Sequence, residues 1–321
     1  MVCLRVALLL AAVPLVAKAA RAPAKGSPPR GFGSKPKPAR TAVSVSLGYE
    51  AEKALREACG NIDKGQQLYY ESKMREAGSD KSHATRVRVT WDTIAAFMPH
   101  VAAGQPNAVT PAVAKKLRKM TTEICASHGG KGRVLDVGCG SGLLLPSLLE
   151  FGKLAPSRFC GIDVSGEMIA LAKQLNAEAV ASGARFEQVS LGDACSRAAH
   201  NGERYHSIVF NGALQFFDAA DVPNLLDEAR RHLLLEEPGA NIVLTHANGA
   251  AFVRDEAEGN PATVLSIMPS VRELQALANG LDLGLSVHGK TVSNEATNEE
   301  LDELDARNER FYLAALMTRR V

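Results

Sequence analysis

Short apolar runs alternate with longer segments of mixed polarity from about residue 129 to the end of the chain. The apolar runs predict strands at 133–138, 158–164, 184–191, 205–211 and 240–246, with two closing strands at 283–292 and 311–319. The intervening segments predict helices at 143–151, 166–182 and 221–235. Ser270 and Glu273 have the spacing of a capping box that opens a further helix through Ala278. Such alternation is typical of a parallel sheet with helices on both faces.

The segment before residue 129 has helical spacing and no strand pattern. Apolar residues recur at three- and four-residue intervals between residues 50 and 78, and a second helix is expected near 91–98. Thr110 followed by Pro111 matches an N-cap and a first helical residue, which predicts a helix through Met120. We therefore expect a helical N-terminal extension over 49–128 and an α/β domain over 129–321. Three aromatic residues of the extension are expected either to be core or to close over a bound ligand: Trp91, Tyr69 and Tyr70.

The first 48 residues have the pattern of a targeting segment. Residues 1–20 combine a basic start, a short apolar run and an A-x-A-like end, which predicts a signal peptide. Residues 21–48 are basic and lack acidic side chains, so we expect a disordered presequence or linker. The two parts together resemble the plastid presequence of algae whose plastids lie inside extra membranes, and plastid import is the expectation. Secretion and a mitochondrial presequence are the alternatives.

Charge and cysteine content narrow the classes of partner. The first 49 residues hold eight basic and no acidic side chains, which leaves 29 basic and 35 acidic residues and a net charge of −6 for the rest of the chain. A body of that sign lacks the broad positive field that nucleic acids favour. The six cysteines form no C-x-x-C pair or zinc spacing, so we expect buried thiols and no metal site. No stretch reaches the about 18 uninterrupted apolar residues of a membrane helix.

Residues 133–143, RVLDVGCGSGL, predict a strand, a glycine-rich turn and the start of a helix. Glycines let the backbone approach a ligand closely, and a helix start offers unpaired N–H groups. The spacing differs from the dinucleotide pattern G-x-G-x-x-G because residue 143 is Leu, which disfavours a nicotinamide cofactor. Asp163 ends the second strand 21 residues after Gly142, where Rossmann-type folds place the acid that accepts from ribose hydroxyls. The alternative is that Asp163 caps the next helix, a position for which Ser165 is better suited.

This arrangement resembles the class I S-adenosylmethionine-dependent methyltransferases, whose first motif is acidic-x-G-x-G-x-G. The resemblance spans roughly residues 110–321. It implies a Rossmann-like, doubly wound α/β fold with a seven-stranded sheet that is mostly parallel and has its last strand antiparallel. It also implies S-adenosylmethionine as cofactor, with the glycine turn around the methionine part, Asp136 near its amino group and Asp163 at the ribose.

The family commonly places an acid or amide after the third strand to receive the adenine amino group. Asp193, which we interpret as closing that strand, is the matching residue, and the alternative is a turn aspartate bonded to its own loop. The resemblance implies a cofactor site formed by Asp136, Gly138, Cys139, Gly140, Gly142, Asp163, Val164, Met168, Asp193, Ala194 and Asn211.

The fourth strand runs into Asn211-Gly212-Ala213, and in the family this strand end faces the transferred methyl group. Members that methylate base or amide nitrogens carry an Asn-Pro-Pro-aromatic turn there, so its absence favours small-molecule acceptors. His246, at the end of the fifth strand, is the candidate catalytic base, and the alternative is a histidine bonded within its loop. Residues 248–268 are expected to be a substrate lid or a solvated acidic loop.

The sequence therefore predicts an S-adenosylmethionine-dependent methyltransferase that acts on a small molecule. Methylation of RNA or protein and a non-catalytic, cofactor-binding scaffold are the alternatives. A nicotinamide oxidoreductase is a more distant one.

Overall fold

The computed structural model describes residues 62–101, 111–126, 130–259 and 261–319. The predicted signal peptide and presequence, the start of the first predicted helix and Thr110 lie outside the described residues, so the plastid location stays a prediction. The helices are α1 (Ile62–Glu76), α2 (His83–Val101), α3 (Pro111–Cys125), α4 (Leu145–Glu150), α5 (Gly166–Leu175), α6 (Ala177–Ala181), α7 (Leu191–Asn201), α8 (Val222–Leu233), α9 (Gly249–Gly259), α10 (Val271–Gly280) and α11 (Asn298–Asn308). The strands are β1 (Val134–Val137), β2 (Phe159–Asp163), β3 (Arg185–Gln188), β4 (Ser207–Asn211), β5 (Asn241–His246), β6 (Leu283–Val287), β7 (Lys290–Val292) and β8 (Tyr312–Thr318).

The described strands form one sheet in the order β3-β2-β1-β4-β5-β8-β6-β7. Strands β1 to β5 pair in parallel, whereas β8 runs antiparallel to both β5 and β6. The predicted Rossmann-like fold is confirmed, but the strand count was wrong by one. The single strand expected at 283–292 is a hairpin, because His288 and Gly289 both have positive φ and form a two-residue turn between β6 and β7.

Both faces of the sheet are buried, as the predicted parallel architecture requires. One face carries Leu135, Ile208, Ile242 and Leu316, which pack with side chains of α7, α8 and α10. The other face carries Val134, Val209, Val243 and Ala315, which pack with side chains of α3, α4 and α5. Side chains therefore alternate between faces along each strand, and the C-terminal ends of the parallel strands stay free for a site.

Two helical segments differ from the sequence prediction. The third strand ends at Gln188, and Leu191–Asn201 forms α7 instead of closing the strand. Ser190 starts that helix by accepting a hydrogen bond from the backbone N–H of Asp193. The single helix expected at 166–182 is divided into α5 and α6 at Asn176, whose backbone leaves the helical region.

The C-terminal part contains two helices that the sequence pattern did not predict. Residues 249–259, interpreted as part of a long loop, form α9. Helix α11 is opened by a capping box in which Thr297 and Glu300 bond each other's backbone. The predicted capping box of Ser270 and Glu273 is confirmed and opens α10.

Among the described residues, three helices precede the sheet. Tyr69 of α1 packs edge-on against Phe97 of α2, at 5.9 Å between ring centroids. Ile94 and Ala95 of α2 pack against Met168 of α5, which joins the N-terminal helices to the α/β domain. None of the helices among the described residues combines the length and apolarity that a membrane crossing requires.

Candidate active site

The candidate site lies where the order of the sheet reverses. Strand β1 pairs with β2 on one side and with β4 on the other, so the chain leaves β1 in the crevice between two halves of the sheet. Open α/β sheets bind ligands at this position. The glycine turn after β1 therefore lies between Asp163 at the end of β2 and Asn211 at the end of β4.

The three glycines of the turn all adopt positive φ, and their surroundings differ. An added Cβ on Gly138 would lie 2.6 Å from Cβ of Ala213, so the glycine turn directly contacts the turn after β4. An added Cβ on Gly142 would collide with Asn176 and Phe186. An added Cβ on Gly140 would meet no protein atom within 4 Å, so this position opens onto free space.

The N–H groups of this turn are largely engaged within the protein, unlike the free amides that the sequence predicted. The N–H of Cys139 donates to the carbonyl of Ile162, and that of Gly142 donates to the carbonyl of Cys139. Helix α4 begins only at Leu145, after further turn residues. These hydrogen bonds hold the turn in place, and Gly140 is the position at which its backbone faces open space.

Asp163 is buried beside this opening, and both of its carboxyl oxygens accept backbone hydrogen bonds. Oδ2 accepts from the N–H of Gly140 at 2.9 Å, and Oδ1 accepts from the N–H of Ser165 at 2.9 Å. Burial raises the pKa of this carboxyl, whereas these backbone donors lower it. Ser165, not Asp163, caps α5, because its hydroxyl accepts from the N–H of Met168. The carboxyl of Asp163 is therefore held in place at the end of β2, and its role at the ribose stays a prediction.

Asp136 lies in the middle of β1 and is 1% exposed. Its Oδ1 has no hydrogen-bond partner among the described residues. Burial raises the pKa of this carboxyl to about 8, and the neighbouring Asp163 contributes to the rise. A buried acid with an orphaned oxygen fits a cationic amino group as partner, since such a charge restores the ionised form.

The other predicted cofactor residues lie near the same crevice edge, and their roles stay predictions. Val164 is half-buried directly after Asp163, and Met168 is buried in the first turn of α5. Asp193 is exposed in the first turn of α7, where its Oδ2 accepts from the hydroxyl of Ser190 at 2.6 Å. Ala194 follows it on the buried side of α7.

On the other side of the crevice, the turn after β4 is tied to β5. Oδ1 of Asn211 accepts from the hydroxyl of Thr245 at 2.8 Å, and the N–H of Gly212 donates to the carbonyl of Thr245. These bonds fix the strand end that faces the methyl group in the resembled family. Cβ of Ala213 contacts the glycine turn, so the segments that follow β1 and β4 adjoin.

His246 ends β5 next to this turn and is fully buried. Its ring stacks on Phe252 of α9, with centroids 5.8 Å apart, and lies close to Gly212. Neither ring nitrogen has a hydrogen-bond partner within the part of the chain that the structure describes. Burial lowers the pKa of His246 to about 4, so the ring is neutral at physiological pH. The backbone of Gly249, at the start of α9, acts against this lowering of the pKa, so the base and the histidine bonded within its loop both stay predictions.

Helix α2 contacts the segments that follow β2 and β4, on either side of the glycine turn. Asp92 accepts from the hydroxyl of Ser165 at 2.6 Å, next to Asp163. Trp91 packs edge-on against Phe216 with centroids 5.3 Å apart, and Nε2 of His83 bonds the carbonyl of Phe216 at 2.8 Å. The indole of Trp91 thus has a protein ring as neighbour.

Sequence reasoning missed several of these polar residues. Gln215 is fully buried, and neither polar atom of its side chain has a partner among the described residues. Glu256, which we assigned to an acidic loop, is buried on α9, and burial raises its pKa to about 8. The sequence offered only one indication of this burial, which is that each residue occupies a position of its helix or helical turn where the buried neighbours are apolar. No cluster of His, Cys, Asp or Glu suited to a metal ion occurs in the described ranges.

The sequence model of the family described as a methyltransferase domain matches residues 134–234. No curated protein matches the sequence. Among solved structures, magnesium protoporphyrin IX methyltransferase (ChlM) from Synechocystis PCC 6803 is 14% identical, with 76% of this chain and 100% of that chain covered and a TM-score of 0.49. An O-methyltransferase family protein from Burkholderia thailandensis is 14% identical, with coverages of 85% and 70% and a TM-score of 0.45. The YcgJ protein from Bacillus subtilis is 18% identical, with coverages of 65% and 99% and a TM-score of 0.42.

The matched segment contains the glycine turn, the held carboxyl of Asp163 and the turn after β4. These features occupy the reversal point of a doubly wound sheet whose last strand, β8, is antiparallel. Residues 134–234 therefore match a methyltransferase domain by sequence, and they lie in a Rossmann-like fold of the kind that the resemblance implies.

Proposed function

We propose that this protein transfers the methyl group of S-adenosylmethionine to a small-molecule acceptor. The observation that carries the proposal is the path of α2. This helix contacts Ser165 after β2, which we take as the donor side, and Phe216 after β4, which we take as the acceptor side. A helix packed across both ends of the crevice favours an enclosed acceptor over a long polymer. The net charge of −6 outside the first 49 residues also disfavours a nucleic-acid acceptor.

Buried polar groups near the acceptor side support the same proposal. His246 ends β5, Asn248 follows it by two residues, and Gln215 follows β4. The polar side-chain atoms of all three lack partners among the described residues. Burying a polar group without a hydrogen bond costs roughly 1–3 kcal/mol. A small acceptor with its own hydrogen-bonding groups would satisfy these atoms once the side chains around them move to admit it, since His246 and Gln215 are fully buried.

Four residues of the site then have defined tasks. The cofactor supplies a methyl group that is already activated as a sulfonium. The carboxyl of Asp163 accepts from the ribose hydroxyls, Asp136 balances the amino group, and the open backbone at Gly140 makes room for the cofactor. The neutral ring of His246 can take the proton that a hydroxyl or amine acceptor loses. Alignment of the acceptor with the methyl group supplies most of the rate.

The proposal is tested by supplying the full-length protein with methyl-labelled S-adenosylmethionine and a cell extract. We expect label to appear in molecules that pass a low-molecular-mass filter, and none with the Asp163→Ala variant. Label retained in RNA or protein would overturn the small-molecule acceptor. Calorimetric binding of S-adenosylhomocysteine without transfer to any fraction would instead indicate a non-catalytic scaffold.

The proposed role of His246 predicts a moderate loss of rate in His246→Ala. We expect kcat to fall about tenfold, below the usual hundredfold effect of a general base, because the methyl group is already activated. Since burial lowers the pKa of His246 to about 4, the wild-type rate should not fall through the ordinary histidine range near pH 6.5 and should decline only toward pH 4. Steady-state kinetics between about pH 4 and pH 8 measure both effects.

The matched control for this prediction is His200→Ala, since His200 is exposed on α7. Its kcat should equal that of the wild type. An unchanged kcat in His246→Ala would contradict the proposed role as base.

A further inference from the structure

The N-terminal helices reach the cofactor site through one buried carboxyl. Oδ1 of Asp92 on α2 accepts from the hydroxyl of Ser165 at 2.6 Å and from the N–H of Glu167 at 3.4 Å. The same hydroxyl accepts from the N–H of Met168, so its own proton is directed to Asp92. A carboxylate near the N-terminus of a helix such as α5 is electrostatically favourable, which offsets the cost of burying Asp92.

Ser165 connects Asp92 to Asp163, the carboxyl that we propose receives the ribose. Its N–H donates to Oδ1 of Asp163, and Oδ2 of Asp163 accepts from the N–H of Gly140. The bonds form a continuous series from Asp92 through Ser165 and Asp163 to the glycine turn. Asp92 and Ser165 are 73 residues apart in sequence, so this series exists only when α2 is packed on the α/β domain.

The alternative partners of Asp92 are weaker than this contact. Oδ2 of Asp92 lies 3.5 Å from Nη1 of Arg88, one turn earlier on the same helix. The guanidinium of Arg88 is more than a third exposed, so solvent screens this pair. The buried 2.6 Å bond to Ser165 is therefore the contact that orients the Asp92 carboxyl.

We propose that Asp92 is a positioning residue for the methyl donor, because it fixes Ser165 and thereby the carboxyl of Asp163 in the orientation that receives the ribose. The inference rests on the proposed use of S-adenosylmethionine. It assigns the N-terminal extension a direct part in donor affinity, in addition to covering the acceptor side. Asp92 does not touch the donor and acts through Ser165.

The experiment is calorimetric titration of the full-length protein and its variants with S-adenosylhomocysteine. Asp92→Ala should weaken binding about tenfold, because one charge-assisted hydrogen bond to the Ser165 loop is lost. Asp92→Asn keeps an oxygen acceptor for Ser165 and Glu167, and it should restore most of the affinity. Glu71→Ala removes an exposed carboxyl of α1 and should bind like the wild type.

Thermal melting of each variant separates positioning from folding. An Asp92→Ala variant with a lowered Tm and an unchanged Kd would overturn the inference and leave only a structural role. Equal losses of affinity in the Asn and Ala variants would also overturn it. If Asp92→Ala does not fold, the Kd of Asp92→Asn and of Ser165→Ala decides, because the inference requires near-wild-type binding in the first and weak binding in the second. If titration of the wild type with S-adenosylhomocysteine releases no heat, the result contradicts the proposed function itself and not only the role of Asp92.

Discussion

Replacing Asp163 by alanine is expected to weaken binding of S-adenosylhomocysteine about a thousandfold. A carboxylate that accepts from two ribose hydroxyls makes two charge-assisted hydrogen bonds, each contributing about 2 kcal/mol. Their joint loss corresponds to about three orders of magnitude in Kd. The backbone bonds from Gly140 and Ser165 already hold the Asp163 carboxyl, so the wild type does not lose affinity by ordering that side chain. Calorimetry on both proteins measures the difference.

The Asp163→Ala variant needs a fold control, because the two backbone donors lose their acceptor. Leaving them unpaired costs about 1–3 kcal/mol, which chemical denaturation detects. Asp221→Ala is the matched surface control, since Asp221 is exposed and its side chain makes no capping hydrogen bond. It should bind like the wild type. A folded Asp163→Ala variant with undiminished affinity would show that this carboxyl does not receive the ribose.

The strands were predictable because buried parallel strands are nearly continuous apolar runs. The runs around Val134, Phe159 and Ile242 identified β1, β2 and β5 within one or two residues. The glycine turn and Asp163 were predictable for a related reason, because they follow such runs directly. The hairpin at His288 and Gly289 was not, since a two-residue turn leaves the apolar character of both flanking segments unchanged.

The predicted end of β3 was wrong because an apolar strand pattern and a helix cap occur at the same residues. Leu191 follows Val189 and so extends the apolar run of β3, yet Ser190 caps a helix at that point through its bond with the N–H of Asp193. Short polar side chains that bond the backbone override an apolar pattern in this way. The adenine role of Asp193 stays a prediction, but the residue belongs to a helix start and not to a strand end.

The connections across the site could not be predicted from the sequence. Asp92 lies in an ordinary helical stretch between Trp91 and Thr93, and nothing near it marks a partner 73 residues away. The same holds for His83 and the carbonyl of Phe216, which meet only through the path of α2. Tertiary packing, which a single sequence does not display, decides which polar groups become buried partners.

Gly140→Ala is expected to remove cofactor binding while the protein stays folded. An added methyl group at Gly140 meets no protein atom within 4 Å, so the variant pays only for a left-handed backbone, about 1–2 kcal/mol. The methyl group points into free space beside Asp163, where the proposed cofactor approaches the turn. The methyl group would exclude the ligand from this contact at a cost of about 3 kcal/mol, roughly two lost hydrogen bonds, so we expect the Kd for S-adenosylhomocysteine to rise at least about a hundredfold.

Two further glycine variants separate backbone strain from ligand exclusion. Gly202→Ala, at the C-terminal end of α7, introduces the same left-handed strain without a protein collision, and it should bind normally. Gly142→Ala adds collisions of 2.7–2.9 Å with Asn176 and Phe186, so its free energy of unfolding should fall by about 3 kcal/mol or more. Denaturant unfolding and calorimetry together rank the three variants. Normal binding by a folded Gly140→Ala variant would mean that the cofactor does not approach the turn at this glycine, because strain alone cannot distinguish Gly140 from Gly202.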